Sequence, residues 1–154
     1  QGIRCVVLTG AGDRIFSAGG DLKERNNMTD EDWHRQHSLF ERARQSLMQC
    51  PVPVIAAVNG HCVGGGLEVA MAADLRVAKE GGGKMGLPEV HLGVLPGTGG
   101  TQRLARMLGK SKSIELMASG ANFDFEEAHR LGMVNDVLPA DDFMGHVMGH
   151  VMVM

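Results

Sequence analysis

Short apolar runs alternate with helical patterns along this chain, and that alternation constrains the fold more than any other feature. Runs with the length and composition of strands occupy residues 4–9, 54–60, 75–78 and 133–138. Helical periodicity fills most of the intervals, over residues 29–50, about 65–73, 101–108, 112–119 and 125–132. Strands joined through helical crossovers lie parallel in a sheet, so the pattern predicts an α/β fold.

The composition is that of a globular domain and excludes several other classes. The chain has 154 residues, 44% hydrophobic and 21% charged, which suits a single domain with one core. A net charge of −3 gives no general attraction to nucleic acid or to an anionic membrane. No apolar run approaches the roughly 20 residues of a membrane-spanning helix. Three scattered cysteines without C-x-x-C spacing favour reduced thiols over disulfides or a zinc site.

Three consecutive glycines, Gly64, Gly65 and Gly66, stand between a strand run and a helical pattern in HCVGGGLEVAMAAD. The first N–H groups of a helix lack intrahelical partners, and glycine lets a ligand oxygen approach them, which makes an anion or oxyanion site. Glu68 follows on the same helical face, about 4.5 Å beyond Gly65 at ~1.5 Å per residue. Equally compatible with this stretch alone is close packing of helix on strand, with Glu68 in solvent.

A second acid stands in an unfavourable environment. Glu89 follows Pro88 in LPEVHLG (87–93), an otherwise apolar stretch, and a buried acid costs free energy unless it is partnered or functional. Glu68 and Glu89 therefore form a candidate acid/base pair, since neighbouring carboxylates push pKa values apart. The loop SAGGD (17–21) offers a further inward backbone N–H, although most Gly-Gly loops are simply turns.

The remaining motifs predict no chemistry. GTGGTQR (97–103) resembles a phosphate loop only loosely because it lacks G-x-x-x-x-G-K-[ST], and no strand–G-x-G-x-x-G–helix unit or G-x-S-x-G elbow occurs. His146 and His150 have helical spacing but no third ligand type, so no metal site is predicted. His61 and His91 flank the candidate acids and are interpreted as packed or surface side chains.

Four segments occur in a distinctive order: FSAGGDLKE, PVIAAVNGHCVGGGLEVAMAADLRVA, MGLPEVHLGVLPGTGGTQRL and GMVNDVLP. Together they resemble the crotonase (enoyl-CoA hydratase/isomerase) superfamily over residues 2 to about 143. The resemblance implies a spiral of ββα units that binds an acyl-CoA thioester, with CoA as part of the substrate and no separate cofactor or metal. It also implies a homotrimer or a dimer of trimers.

The resemblance assigns roles to individual positions and implies an enoyl-CoA hydratase, a hydro-lyase. Glu68 would activate a water and Glu89 would deliver a proton to Cα. The backbone amides of Gly20 and Gly65 would polarise the thioester carbonyl. Further substrate contacts would come from backbone near that water and along the first loop: Gly97, Ala18, Gly20, Asp21, Leu22 and Lys23.

By the same resemblance, residues 1–143 form a partial core domain and residues 144–154 begin a carboxy-terminal helical segment. Relative to family members, the chain lacks the first strand–helix unit and the carboxy-terminal helices. A bacterial protein of this kind would be cytoplasmic and a eukaryotic one mitochondrial, with no targeting segment expected at the amino end.

Two alternatives stay open. With the same fold, the protein would be a methylglutaconyl-CoA hydratase, towards which DLKER (21–25) points, or an enoyl-CoA isomerase. In a different class, it would be a non-catalytic acyl-CoA-binding or scaffold protein, against which the two glutamates argue. Product analysis on a panel of thioesters separates these alternatives.

Overall fold

The computed structural model describes residues 2–152, and its framework is a pair of four-stranded sheets. The first sheet contains β1 (Val6–Thr9), β3 (Val54–Val58), β5 (Leu75–Lys79) and β8 (Asp136–Leu138), hydrogen-bonded in that order with every pair parallel. The second sheet contains β2 (Ile15–Ser17), β4 (His61–Val63), β6 (Lys84–Gly86) and β7 (Phe123–Asp124), also in that order. Residues 153–154 of the predicted segment 144–154, and residue 1, lie outside the described residues.

The helices connect and cover these sheets. They are α1 (Leu22–Arg25), α2 (Asp30–Met48), α3 (Gly65–Ala70), α4 (Gly100–Leu108), α5 (Lys110–Ser119), α6 (Phe125–Arg130) and α7 (Phe143–Met152), with a 3₁₀ helix at Pro88–Leu92. Across residues 2–152, no helix combines the length and the apolar character that crossing a membrane requires.

The chain winds as a spiral of ββα units. A strand of the first sheet leads to a strand of the second and then to helix, as in β1–β2–α1–α2, β3–β4–α3 and β5–β6–α4–α5. This order confirms the α/β fold and the parallel crossovers predicted from the alternation of runs. It also confirms the ββα spiral that the resemblance implies.

The second sheet differs most from what the sequence predicts. The run 54–60 predicts one strand, whereas β3 gives way to β4 in the other sheet after a turn at Asn59. The Asn59 side chain donates hydrogen bonds to the carbonyls of Gly10 and Gly12, which ties the end of β3 to the preceding unit. In addition, α3 ends at Ala70, earlier than predicted, and β6 pairs with β7 in the antiparallel sense.

The hydrophobic core lies between the sheets and the helices of successive units. Its largest fully buried side chains come from different elements: Phe125, Leu67, Met85, Leu104, Met133 and Val54. Alternate residues of β3, such as Ile55, point to the opposite face of the first sheet. There they pack against Phe143 and Val147 of α7.

Helix α2 contributes no fully buried residue to this core, although its half-buried Leu47 packs against it. The Thr29 side chain caps it by accepting from the Asp32 amide, as the sequence predicts, yet none of its 19 residues is buried. On the face predicted to be apolar, Trp33 and Phe40 stay exposed and the others are half-buried. The helix therefore lies over the rest of the structure, joined to the core through Leu47 and otherwise held by contacts such as those of Met48 with Arg103 and of Phe40 with Arg25.

Candidate active site

Two glycine-rich loops lie in direct backbone contact. Gly64 has φ +56° and precedes α3, and a Cβ on Gly66 would collide with the Ser17 backbone at the end of β2. From the other loop, Gly19 has φ +82°, and a Cβ there would lie 2.9 Å from the Gly65 nitrogen. Side chains would force these loops apart, so the glycines are required for the approach.

This contact brings together the two predicted amide donors. The Cβ position of Gly65 lies 4.0 Å from the Gly20 nitrogen and 3.9 Å from Glu68 Oε2. The two main-chain segments and one predicted carboxylate therefore share a single site. The glycines do allow the close packing of helix on strand that one interpretation of the sequence held, because Gly66 of α3 lies against Ser17 of β2, and this packing occurs beside an acid.

Glu68 is buried and fully partnered. Its side chain is 3% exposed, which excludes the interpretation of a solvated first-turn acid. Oε1 accepts hydrogen bonds from the amides of Thr98 (2.8 Å) and Gly100 (2.7 Å), and Oε2 accepts from the Thr98 hydroxyl. A Cβ on Gly100 would lie 2.8 Å from Glu68 Oε1, so glycine is needed for this amide to reach the carboxylate.

Glu89 lies in the same site in the opposite hydrogen-bonding state. The 3₁₀ helix holds its half-buried side chain so that Oε1 lies 3.1 Å from the Cβ position of Gly64. Oε2 is buried and has no hydrogen-bond partner among residues 2–152. Burial raises the pKa of the Glu89 carboxyl; a hydrogen bond from its own backbone partly opposes this shift, and the charge of Glu68 adds to it. The carboxyl therefore keeps its proton to higher pH than an ordinary glutamate does.

The predicted CoA-binding loop runs along the edge of this site. Ala18 and Leu22 are exposed, and Gly20 is half-buried beside α3. The Asp21 side chain is engaged in capping α1, where it accepts from the amide of Lys23 (2.8 Å). Because the Asp21 side chain is used in this cap, the part of the loop that faces the site is its backbone.

Gly97 lies close to the site, but other residues contact the acid. Gly97 is exposed, and the donors to Glu68 come from the following residues, Thr98 and Gly100. Neither donor is predicted by the sequence pattern, because GTGGTQR resembles a phosphate loop only loosely. The sharper signal was a threonine with flanking glycines directly before a helix, a segment whose free amides can donate to a carboxylate.

Three further side chains complete the surroundings. The Arg25 guanidinium lies 2.6 Å from the Cβ position of Gly20 and 5.9 Å from the centre of the Phe40 ring, a position that no sequence motif predicts. His61 accepts from the Lys84 amide through Nδ1 (3.2 Å), which is a packing role. Within residues 2–152, no group of three or more His, Cys, Asp or Glu side chains has the arrangement of a metal site.

Comparisons with known proteins agree with this fold. The profile of the family described as enoyl-CoA hydratase/isomerase matches residues 1–152. The chain is 46% identical over 142 residues to a putative enoyl-CoA hydratase/isomerase, YngF, of Bacillus subtilis. It is 40% identical over 142 residues to a short-chain-enoyl-CoA hydratase of Clostridium acetobutylicum. Each alignment covers 92% of this chain and 54% of the relative, so the chain spans about half the length of these relatives.

The solved structure of an enoyl-CoA hydratase from Bacillus anthracis superimposes with a TM-score of 0.90 at 40% identity, covering 95% of this chain and 56% of that one. The fold is thus the ββα spiral of the crotonase superfamily. Within that class, the chain belongs to the enoyl-CoA hydratase/isomerase family.

Proposed function

We propose that the protein is an enoyl-CoA hydratase, which adds water syn across the 2,3 double bond of an enoyl-CoA thioester. The observation that carries the proposal is the meeting of Glu68 and Glu89 in one site in opposite hydrogen-bonding states. Hydration needs one group that takes a proton from water and another that gives a proton to carbon. Two carboxylates in unequal surroundings supply such a pair.

Glu68 acts as the base in this proposal and Glu89 as the acid. The water oxygen bonds to Cβ of the substrate while one water proton passes to Glu68, and Glu89 gives its proton to Cα. Transfer of a proton from Glu68 to Glu89 then restores the starting state. The raised pKa of Glu89 supports its role, because a proton donor must hold its proton until the reaction takes it.

The substrate carbonyl is held by main-chain donors. Negative charge develops on the thioester oxygen during addition, and the amides of Gly20 and Gly65 would stabilise it. Their closeness to each other and to Glu68 supports this arrangement. The CoA portion would follow the exposed backbone of residues 18–23. The homotrimer, or dimer of trimers, is part of the same proposal, and sedimentation measures it.

The second carboxylate favours hydration over isomerisation. Shifting a double bond needs one group that removes a proton and returns it elsewhere, whereas addition of water uses two groups of different character. A non-catalytic binding protein has no use for a buried carboxylate oxygen without a partner, because such an atom costs about 1–3 kcal/mol.

The test is hydration of crotonyl-CoA by the protein and by Glu68→Gln and Glu89→Gln. Loss of a general acid or base lowers kcat by about 10²- to 10⁴-fold, so each variant is expected to fall in that range. Glu115→Gln, at an exposed site on α5, is the matched control and is expected to keep full activity. Calorimetric binding of the thioester verifies that each variant still holds substrate.

A loss below tenfold would remove that glutamate from the mechanism. Formation of a double-bond isomer in place of the hydrated product would replace hydration by isomerisation. Binding of the thioester without any turnover would show that the protein binds the thioester but does not catalyse its reaction.

A further inference from the structure

The carboxyl of Glu89 is positioned through its main chain. Its Oε2 has no hydrogen-bond partner among residues 2–152, whereas Glu68 is fixed by donors from another segment. A proton donor works only within about 2.6–3.2 Å of the atom that receives the proton, and a misplacement of ~1 Å can cost about 10²-fold in rate. Whatever fixes the main chain at Glu89 therefore fixes the proposed acid.

The 3₁₀ helix that carries Glu89 supplies little rigidity of its own. None of its residues, Pro88–Leu92, is buried, and 3₁₀ hydrogen bonds have poorer geometry than those of an α-helix. The buried Leu87 anchors its start, whereas Val90 and Leu92 are exposed. The segment therefore needs a second point of attachment after Glu89.

The carboxy-terminal end of α5 provides that attachment. Gly120 follows α5 with φ +62°, and a Cβ there would lie 2.2 Å from His91 Nε2 and 2.8 Å from Val90 Cγ1. The Gly120 main chain thus lies directly against the two side chains that follow Glu89. Glycine is required here twice, because φ is positive and because a Cβ would push both side chains away. His91 is exposed, yet its ring packs on this glycine.

The other acid is held by the opposite end of the same pair of helices. Helix α4 begins at Gly100, whose amide donates to Glu68 (2.7 Å), and α5 ends next to Gly120. The two helices pack on each other and on the core, and they are joined at the single residue Gly109. One helical pair therefore contacts the segments that place both acids, Glu68 at its start and Glu89 at its end.

From this geometry we infer that Gly120 and His91 are positioning residues for Glu89. The end of α5 holds the 3₁₀ helix in place, so that the Glu89 carboxyl stays at a fixed distance from Glu68 and from the reacting carbon. This inference deepens the proposed hydration and rests on it. If the contact were packing alone, its loss would lower stability without a specific loss of turnover.

The first experiment compares Gly120→Ala with Gly132→Ala. Gly132, just after α6, also has a positive φ (+80°), but a Cβ there has no neighbour within 4 Å in the described part of the chain. Both variants carry the strain of alanine at positive φ, and only Gly120→Ala adds the collision with His91. Gly120→Ala is expected to lower kcat for crotonyl-CoA hydration by about 10- to 100-fold and to change KM by less than about threefold. Gly132→Ala should keep the kcat of the unaltered protein.

The second experiment removes the ring. His91→Ala leaves the main chain unstrained, so it tests the contact even if Gly120→Ala does not fold. Its kcat is expected to fall by about 3- to 10-fold at an unchanged KM. In the double variant the added Cβ no longer meets the ring, so its kcat should exceed that of Gly120→Ala, whereas independent contributions would multiply the two losses.

A third measurement does not depend on turnover. Carbon NMR of carboxyl-labelled glutamate, with the Glu89 signal assigned by its absence in Glu89→Gln, gives the titration midpoint of this acid. Burial raises the pKa of Glu89, so a carboxyl that moves towards solvent in Gly120→Ala should titrate at lower pH, while the charged neighbour Glu68 is unchanged. Gly132→Ala should leave the midpoint in place.

The outcomes separate the inference from the proposed function. If Gly120→Ala loses no more kcat than Gly132→Ala, or the double variant shows the product of the single losses, Gly120 and His91 do not position Glu89. Lower stability with kcat and the Glu89 midpoint unchanged would assign the contact to packing and overturn the inference. If the unaltered protein does not hydrate crotonyl-CoA but the midpoint moves in Gly120→Ala alone, the hydratase proposal fails while the positioning stands.

Discussion

Glu68 and Glu89 belong to one site but are held by different means. Glu68 lies on α3 and accepts three hydrogen bonds from the segment before α4, with almost no exposed surface. Glu89 lies on a short 3₁₀ helix, half-buried, with one oxygen unpartnered among the described residues. The difference teaches that one carboxylate is part of the structure that fixes the site, whereas the other is left free to exchange a proton. Fixing both would remove the asymmetry on which acid/base work depends.

The largest expected effect concerns stability, where the two acids should differ most. Glu68→Ala leaves the half-buried amide of Thr98 and the buried amide of Gly100 without an acceptor, at up to about 1–3 kcal/mol each. We expect the free energy of unfolding to fall by about 3 kcal/mol, and by less than about 1 kcal/mol in Glu89→Ala, measured by urea denaturation. Equal losses of unfolding free energy in the two variants would show that the hydrogen bonds of Glu68 do not stabilise the fold more than the contacts of Glu89 do.

Gly100→Ala leaves both acids in place but should disturb the hydrogen bonds that hold Glu68, and so reduce the difference between the two acids. A Cβ in Gly100→Ala would lie 2.8 Å from both Glu68 Oε1 and Pro96 Cβ, and overpacking of this kind costs about 1–3 kcal/mol. We expect a loss of about 2 kcal/mol in denaturation and a parallel loss of hydration rate. The control is Gly149→Ala in α7, where a Cβ has no neighbour within 4 Å and alanine favours the helix. A variant at Gly100 that behaves like this control would mean that Glu68 moves aside freely.

The smallest expected effect is a pH dependence of the unfolding free energy, which comes from Glu89 alone. Because burial raises the pKa of Glu89, the folded state binds this proton more tightly than the unfolded state. The resulting stability is present below the unfolded pKa and is lost as pH rises through the folded pKa. Glu89→Gln cannot lose this proton, so its unfolding free energy relative to the parent should increase between pH 4 and pH 8. Water screens the half-buried group, so we expect at most about 1 kcal/mol.

Activity should follow the same titration. Above the pKa of Glu89, the proposed acid is deprotonated, so kcat for hydration is expected to decline as pH rises through that value. Glu89→Gln removes this limb, and its residual rate should be nearly independent of pH there. If stability depends on pH as expected but kcat does not decline, Glu89 contributes to stability and does not deliver the proton.

The sequence predicted the acids and glycines of the site better than it predicted their partners. Glu68, Gly65 and Glu89 could be predicted because each is unusual where it stands. Two are acids, and one is a residue without a side chain, in otherwise apolar stretches. Thr98 and Gly100 are not unusual in this way. They lie 30 and 32 residues from Glu68, so their role exists only once α3 and α4 are packed together.

The fold shows the same division between local and distant information. Long apolar runs and the Thr29 cap predicted β3 and α2 from local chemistry. The three-residue strand β4 was not separated from β3 in the sequence, because a strand so short is defined by its pairing with β2 and β6. Periodicity over three residues carries too little information to mark an element.

The absence of buried residues in α2 has a consequence for how the molecule moves. A helix that reaches the core only through the half-buried Leu47 can open locally at less cost than a core helix, since little apolar surface has to be exposed first. Yet α2 carries Arg44 and Met48, and its Phe40 lies against Arg25 next to Gly20. Thermal fluctuations of this one helix would therefore loosen its contacts with α4 and with the Gly20 loop together, while the two sheets stay intact.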